Sequence, residues 1–390
     1  MHAKGAFAMN FMFSMPTFVQ FGCGISRQIG SMLADACLKR VFFVYDSGVK
    51  AAGLVDTVAD SLKTAGLQYQ EYGEVLANPP DYQVQAAVDL AADFGTDAIV
   101  ALGGGSAMDL AKGVNILLSN PSPINAYDGM NKVGNPTGPL YAIPTTAGTG
   151  SEVTAVSVVT DVKAKKKMVL FGRYIAPTVA LVDPELTLGL PKALTASTGM
   201  DALTHALESY VSVLSSPLTE PLVLNATRLI MGSLRKAFVD GKDIRARTDM
   251  LLGSMLAAFG FTNTSLGLVH SMAHPMGAHC DVAHGVGNAV MLSHVMEFNI
   301  PAVTPEKMLL MAQAAGIAAH GKSHEELGRE FADVLATLAK DLGIPRIREL
   351  GVPKDLFPLL ADAALQELST LTTPRKPSVA EVIALYEKAW

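Results

Sequence analysis

Cysteine is scarce in this chain, with three among 390 residues: Cys23, Cys37 and Cys280. An odd, low count without framework spacing excludes a disulfide-stapled secreted domain. Charge is scarce too. Charged residues make up 17% of the sequence against 49% hydrophobic, which allows a large core and excludes extended disorder. Apart from Lys163 to Lys167 no basic cluster stands out, and the formal net charge is -6, so nothing points to nucleic acid. The run is read as a solvated turn. No stretch reaches the roughly 18 uninterrupted apolar residues of a membrane span. The start lacks the basic residues, apolar run and small-residue cleavage site of a signal peptide. The expectation is a cytoplasmic protein with no membrane and no nucleic-acid partner, its apolar residues filling a core and subunit interfaces.

The length suggests two or three domains. Phe7 to Phe21 is rich in Phe and Met and reads as an edge strand or hairpin, which predicts a dimer contact. Apolar β-rich runs at 40–46, 69–75, 97–102, 140–144 and 179–183 then alternate with helical periodicity at 26–36, 55–65, 81–94 and 107–118. Residues 153–160 and 168–170 read as a strand or hairpin. Such alternation predicts an α/β fold with a parallel sheet covered on both faces. From about Leu188 helical periodicity dominates, through 195–213, 220–239, 247–263, 267–278, 288–299, 305–315, 323–342 and 379–388. The expected organisation is an α/β domain over 1–188 and an all-α domain over 189–390.

The helical half concentrates histidine. Five of the nine histidines, at 205, 270, 274, 279 and 284, fall between Gly199 and His284. Asp201 and His205 are four apart, as are His270 and His274, so each pair shares one helical face. One carboxylate with several imidazoles suits a divalent first-row metal. Any single histidine is more simply a hydrogen-bonded surface or core residue, but a cluster set among apolar residues favours the metal.

In the first half, Gly103-Gly104-Gly105-Ser106 follows an apolar strand and opens a helix. Small residues there let backbone N–H groups approach an anion, aided by the helix N-terminus. This is neither the G-x-G-x-x-G fingerprint nor a P-loop with its Lys, and a plain tight turn is the competing reading. Thr145-Thr146-Ala147-Gly148-Thr149-Gly150-Ser151 follows another strand. Two such loops at strand C-terminal ends predict a ligand in the crevice there. Asp46 ends an earlier strand. It is either an ordinary turn residue or an acceptor for ribose hydroxyls, in which case it disfavours a 2′-phosphate and selects NAD over NADP.

Taken together, Gly103–Ser106 with Asp109, Pro144 through Glu152, Gly199 through Ala206, and Gly267 through Pro275 with His284-Gly285 resemble the iron-containing (group III) alcohol dehydrogenase family, which includes lactaldehyde reductases and propanediol dehydrogenases. The likeness spans nearly the whole chain. It implies a dehydroquinate synthase-like fold with an N-terminal dinucleotide-binding domain, an all-helical metal domain and the site in the cleft between them. It implies metal ligands Asp201, His205, His270 and His284, with His274 beside the nicotinamide and substrate as the catalytic residue. Around NAD it implies Asp46, Asn78, Gly103, Gly104, Gly105, Ser106, Asp109, Thr145, Thr146, Thr149, Thr154, Val158 and Lys167. Fe(II) is the implied ion, with Zn or Mn compatible with the same donors. His279 and Cys280 are expected to be bystanders. The implied reaction is reversible hydride transfer between NAD(H) and a small primary alcohol or aldehyde, in a homodimer or an assembly of dimers. Phe261 and Val156 are expected at the substrate pocket. A glycerol dehydrogenase or dehydroquinate synthase type, with fewer histidines at its Zn site, is one competing reading. A non-catalytic metal- or nucleotide-binding protein is another.

Overall fold

The computed structural model of the protein describes residues 10–390. The N-terminal stretch expected to pair as an edge therefore lies partly outside the described residues, at Phe7, Ala8 and Met9. Nine strands follow: β1 (Phe18–Phe21), β2 (Arg40–Tyr45), β3 (Gln68–Tyr72), β4 (Ala98–Gly103), β5 (Gly129–Met130), β6 (Leu140–Pro144), β7 (Val156–Asp161), β8 (Lys166–Phe171) and β9 (Val179–Val182). Six of them form one sheet in the order β1-β9-β6-β4-β2-β3, parallel throughout.

The inner strands read as unbroken apolar runs because both of their faces are covered. Phe42, Val44, Ile99, Ala101, Leu140 and Ala142 enter one core layer. Their alternates Val41, Phe43, Val100, Leu102, Tyr141 and Ile143 enter the other. The period of two is thus preserved in space even where hydropathy shows no alternation. The edge strand β3, Gln68-Tyr69-Gln70-Glu71-Tyr72, is polar and only partly buried, which suits a sheet margin. At the other margin β1 pairs only with β9 and leaves Phe18 exposed. A second, three-stranded sheet is built on the antiparallel β7–β8 hairpin, with β5 beside β8.

After the 3-10 turn Pro184–Thr187, every regular element is helical. The long helices Lys192–Val211, Thr219–Val239 and Ile244–Thr264 pack with Leu268–Cys280 and His284–Asn299 around one apolar core. A helix at Phe357–Gln366 was not anticipated. It is only ten residues long and begins at a Phe-Pro step, so its start signal is weak against the preceding turns. Among the described residues no single helix is long and apolar enough to cross a membrane.

Candidate active site

Strand register lines up one wall of the site. β6, β4 and β2 are neighbours, with Tyr45 opposite Leu102 and Gly103 opposite Pro144. All three run the same way, so Asp46, the Gly103–Ser106 turn and Thr145 emerge side by side at one edge of the sheet. The Thr145 amide donates to the Gly103 carbonyl at 3.0 Å. Gly103 sits at φ 154, and a Cβ there would lie 2.8 Å from the Ala107 side chain and 3.2 Å from Asp46 Oδ2. Only glycine fits that corner. The helix Gly105–Ser119 starts immediately, and no side chain caps it at Gly104. Its first amides therefore point at the edge with no acceptor from Gly104, in a field that favours an anion.

Asp46 does two things at once. Its Oδ1 accepts from the Val49 amide at 3.0 Å, capping the short helix Ser47–Ala51. Its Oδ2 faces Gly103. The turn reading of this residue therefore describes a contact the structure shows, and the second oxygen lies at the glycine corner. Across the edge, Asn78 (φ 51) donates its amide to Ser106 Oγ at 3.2 Å and accepts Lys167 Nζ on its side chain at 3.0 Å. Burial pulls the Lys167 ammonium below its ordinary pKa, opposed by the nearby Asp109 carboxylate. Lys167 is thus the partly buried member of its basic run, while Lys163, Lys165 and Lys166 are exposed.

Behind the loops lies a residue that the sequence did not single out. Lys112 is wholly buried, and its Nζ donates to Ser151 Oγ (2.8 Å), Thr154 Oγ1 (3.2 Å) and the Val156 carbonyl (2.6 Å). Ser151 Oγ in turn donates to Asp109 Oδ1 at 3.0 Å. Asp109 and Thr154, expected around the cofactor, are therefore tied into the protein's own network, and Val156 enters it through its backbone. Val158 lies next to this network, hydrogen-bonded through its backbone to Asp109. Desolvation pushes Asp109 up to about 6 and Glu152 up to about 7, and it pulls Lys112 down to about 8. The helical start at Gly105 hid this lysine, since a Lys on a helix is ordinarily a solvated one.

The second loop reaches the helical half through its glycines. A Cβ on Gly148 would lie 2.6 Å from that of Thr198, and one on Gly150 would lie 2.2 Å from that of Ala258. The Gly148 carbonyl accepts from His205 Nδ1 at 3.2 Å. One loop thus touches both the strand edge and the histidine cluster.

In that cluster, one donor atom from each of Asp201, His205, His270 and His284 lies within 4.8 Å of the others. Asp201 Oδ1 is 3.6 Å from His205 Nε2, 3.8 Å from His270 Nε2 and 3.4 Å from His284 Nε2. Asp201 and His205 share the helix Lys192–Val211, His270 comes from Leu268–Cys280, and His284 starts His284–Asn299. Desolvation holds His270 well below its ordinary pKa and brings His284 down to about 4. Both rings are therefore neutral near pH 7, and each has a lone pair to offer. Among the described residues the only ionisable partners of the buried Asp201 carboxylate are these imidazoles. A buried carboxylate with no lysine or arginine paired to it is left without a permanent compensating charge. A divalent cation fits this donor set in both charge and donor type.

His274 stands beside the cluster without a donor atom in it. Its ring stacks on His284 with centroids 5.4 Å apart, and Nδ1 faces Glu367 Oε2 at 3.3 Å. Phe261 packs against the His205 ring at 4.5 Å. His279 is exposed and outside the cluster, and Cys280 is the last residue of its helix. Glu208 and Asn288 were missed. Glu208 Oε2 meets His270 Nδ1 at 2.6 Å. Asn288 Nδ2 lies 2.7 Å from Asp201 Oδ1, 3.0 Å from His270 Nε2 and 3.1 Å from His284 Nε2. Glu208 could have been found in sequence, since it lies seven residues after Asp201 on the same helical face.

Two family models match this chain, "Iron-containing alcohol dehydrogenase" over residues 16–184 and "Fe-containing alcohol dehydrogenase family, C-terminal" over 195–390. The chain belongs to the iron-containing alcohol dehydrogenase family. It is 38% identical to lactaldehyde reductase of Escherichia coli (strain K12), over 95% of this chain and 97% of that one. With the NAD-dependent methanol dehydrogenase of Bacillus methanolicus it shares 37% identity, over 97% and 99% respectively. Among solved structures, the alcohol dehydrogenase from Oenococcus oeni superposes with a TM-score of 0.95 at 35% identity, over 98% of this chain and all of that one. The two-part fold, an α/β half and a helical half, is that of iron-containing alcohol dehydrogenases. Like them, the chain is a metal-dependent oxidoreductase that moves hydride between NAD(H) and an alcohol or aldehyde.

Proposed function

We propose that this enzyme interconverts a small, uncharged aldehyde and its primary alcohol with NAD(H), around an Fe(II) ion held by Asp201, His205, His270 and His284. The observation that carries this reading is the buried carboxylate with three imidazoles, joined through Gly148 to the nucleotide loops. Zn or Mn suits the same donors, and family membership favours iron. The boundary we assign runs between residues 188 and 189, with the dinucleotide on the first domain and the metal on the second.

The cation, when bound, supplies Lewis acidity at the substrate oxygen, and NAD supplies the hydride chemistry. The chain's own residues do the rest. Amides at the start of Gly105–Ser119 would hold the pyrophosphate, with Gly104, Gly105, Ser106, Thr145, Thr146 and Thr149 lining its approach. Asp46 Oδ2 would accept a ribose hydroxyl and repel a 2′-phosphate. Lys167, fixed by Asn78, would reach cofactor hydroxyls. Asp109, Thr154 and Val158 support this wall through the Lys112 network. Phe261 and Val156 limit the substrate to a short apolar end.

Alcohol oxidation releases one proton with each hydride. His274 is placed to carry it: Nδ1 is paired with Glu367, which leaves Nε2 for exchange with the substrate side. Glu367 is half exposed and passes the proton to solvent. The relatives that act on lactaldehyde and on methanol support a small substrate. The protein is assigned to the cytoplasm, as a dimer that pairs through the exposed margin at β1.

A panel of short aldehydes, apolar, hydroxylated and anionic, assayed with NADH on metal-loaded protein tests this reading. Short uncharged aldehydes should give the highest kcat/KM. Failure of every aldehyde to oxidise NADH would sink the proposal.

A further inference from the structure

We propose that Glu208 is a positioning residue of the metal centre, fixing the tautomer of His270 so that its Nε2 presents a lone pair to the cation. The inference rests on the metal site proposed above. Glu208 sits seven residues after Asp201 on the helix Lys192–Val211, so one helical face carries two donors and the group that orients a third. Its carboxylate is buried and fully engaged. Oε2 lies 2.6 Å from His270 Nδ1, and Oε1 accepts the Val269 amide at 2.6 Å. An ionised carboxylate in contact with a ring nitrogen takes a proton donor there, so with Glu208 ionised, as in a cation-loaded site, Nδ1 carries the hydrogen and Nε2 does not.

A second contact lies on the other side of the ring. Asn288 Nδ2 lies 3.0 Å from His270 Nε2 and 2.7 Å from Asp201 Oδ1. Only the NH2 end of the amide can face a carboxylate oxygen at that distance, which leaves one hydrogen for His270 Nε2 or for His284 Nε2, 3.1 Å away. The Asn288 contact is thus compatible with the tautomer that Glu208 selects. His205 is held likewise, its Nδ1 facing the Gly148 carbonyl. A ligand histidine oriented through its other ring nitrogen binds metal more tightly, because ring rotation and tautomer exchange are already settled.

Glu208 also has a purely structural task, since its bond to Val269 caps the helix Leu268–Cys280. Glu208→Gln separates the two roles. The Gln Oε1 still accepts from Val269, but the amide NH2 faces His270 Nδ1 and drives the ring's proton to Nε2. Metal affinity of the purified chain is read by competition with a chromophoric chelator, using Zn as the probe ion. The expected result is a 10- to 100-fold weaker affinity in Glu208→Gln than in the parent, with an unchanged thermal midpoint. Equal affinity in the two proteins would overturn the proposal. Failure of the parent itself to bind Zn or Fe(II) would instead remove the metal site on which it rests. Should the variant not fold, ring 15N shifts of the metal-free parent decide. A protonated Nδ1 on His270 supports the proposal, and a protonated Nε2 overturns it.

Discussion

The two walls of the cleft are made from different materials. On the helical wall, side chains carry the chemistry: a buried carboxylate and three imidazoles, two of them buried, held by Glu208, Asn288 and Gly148. On the sheet wall, the backbone carries it: uncapped amides after Gly104, small residues that leave room, and one ammonium that ties the loops from behind. The helical wall should therefore fail sharply when one residue changes. The sheet wall should bend, because several amides share each contact.

Asp201→Ala tests the sharp side hardest. It deletes a charged donor at the centre of the cluster, and both metal retention and aldehyde reduction should fall by about a thousandfold or more, equivalent to several kcal/mol of lost transition-state stabilisation. Metal content measured beside kcat/KM checks it, and a variant that keeps both would erase the contrast between the walls. His274→Ala comes next. With no donor atom in the cluster, it should leave bound metal intact while kcat drops by about 10² to 10⁴. Loss of metal along with rate would make His274 a ligand and not a proton carrier.

On the sheet wall, Asp46→Gly should shift the ratio of NADH to NADPH efficiency by about tenfold or more toward NADPH, the size of one charge-assisted hydrogen bond. Loss of its helix cap costs only a few tenths of a kcal/mol when Gly replaces it. An unchanged cofactor ratio would leave Asp46 as a cap and nothing more. The smallest effect belongs to Glu152. Burial raises its carboxyl from the ordinary 4.5 to about 7, so the folded state holds the proton more tightly than the unfolded one. Its contribution to stability is complete below 4.5 and is lost as pH rises to about 7. Glu152→Gln should remove that part of the slope and stabilise the protein relative to the parent above this range. Denaturant midpoints measured against pH read the difference, and parallel curves for the two proteins would contradict it.

The same contrast decides what could be read from sequence. A rare residue type repeated at helical spacing marked the helical half as a candidate metal site, and the resemblance to the family chose Asp201, His205, His270 and His284 from it, four residues whose donor atoms the structure brings together. Alternating strands and helices were legible too, since apolar runs at 40–46 and 97–102 have few other uses. Contacts made at a distance were not. Glu367 meets His274 from nearly a hundred residues away, across a stretch whose turns and short helix hide any period. Lys112 looked like a solvated helical lysine, and only the packing of β7 against its helix buries it. Asp46 shows the limit from the other side: it caps a short helix while its second oxygen lies beside Gly103, and sequence cannot rank a turn role against a ligand role.

The central claim is that the helical wall acts only through its cation. Stripping the protein with a strong chelator, then assaying aldehyde-dependent NADH oxidation before and after adding Fe(II) or Zn, tests it directly. The account predicts no turnover in the stripped protein, intact NADH binding, and recovery on addition of metal. Full activity in demonstrably metal-free protein would contradict it.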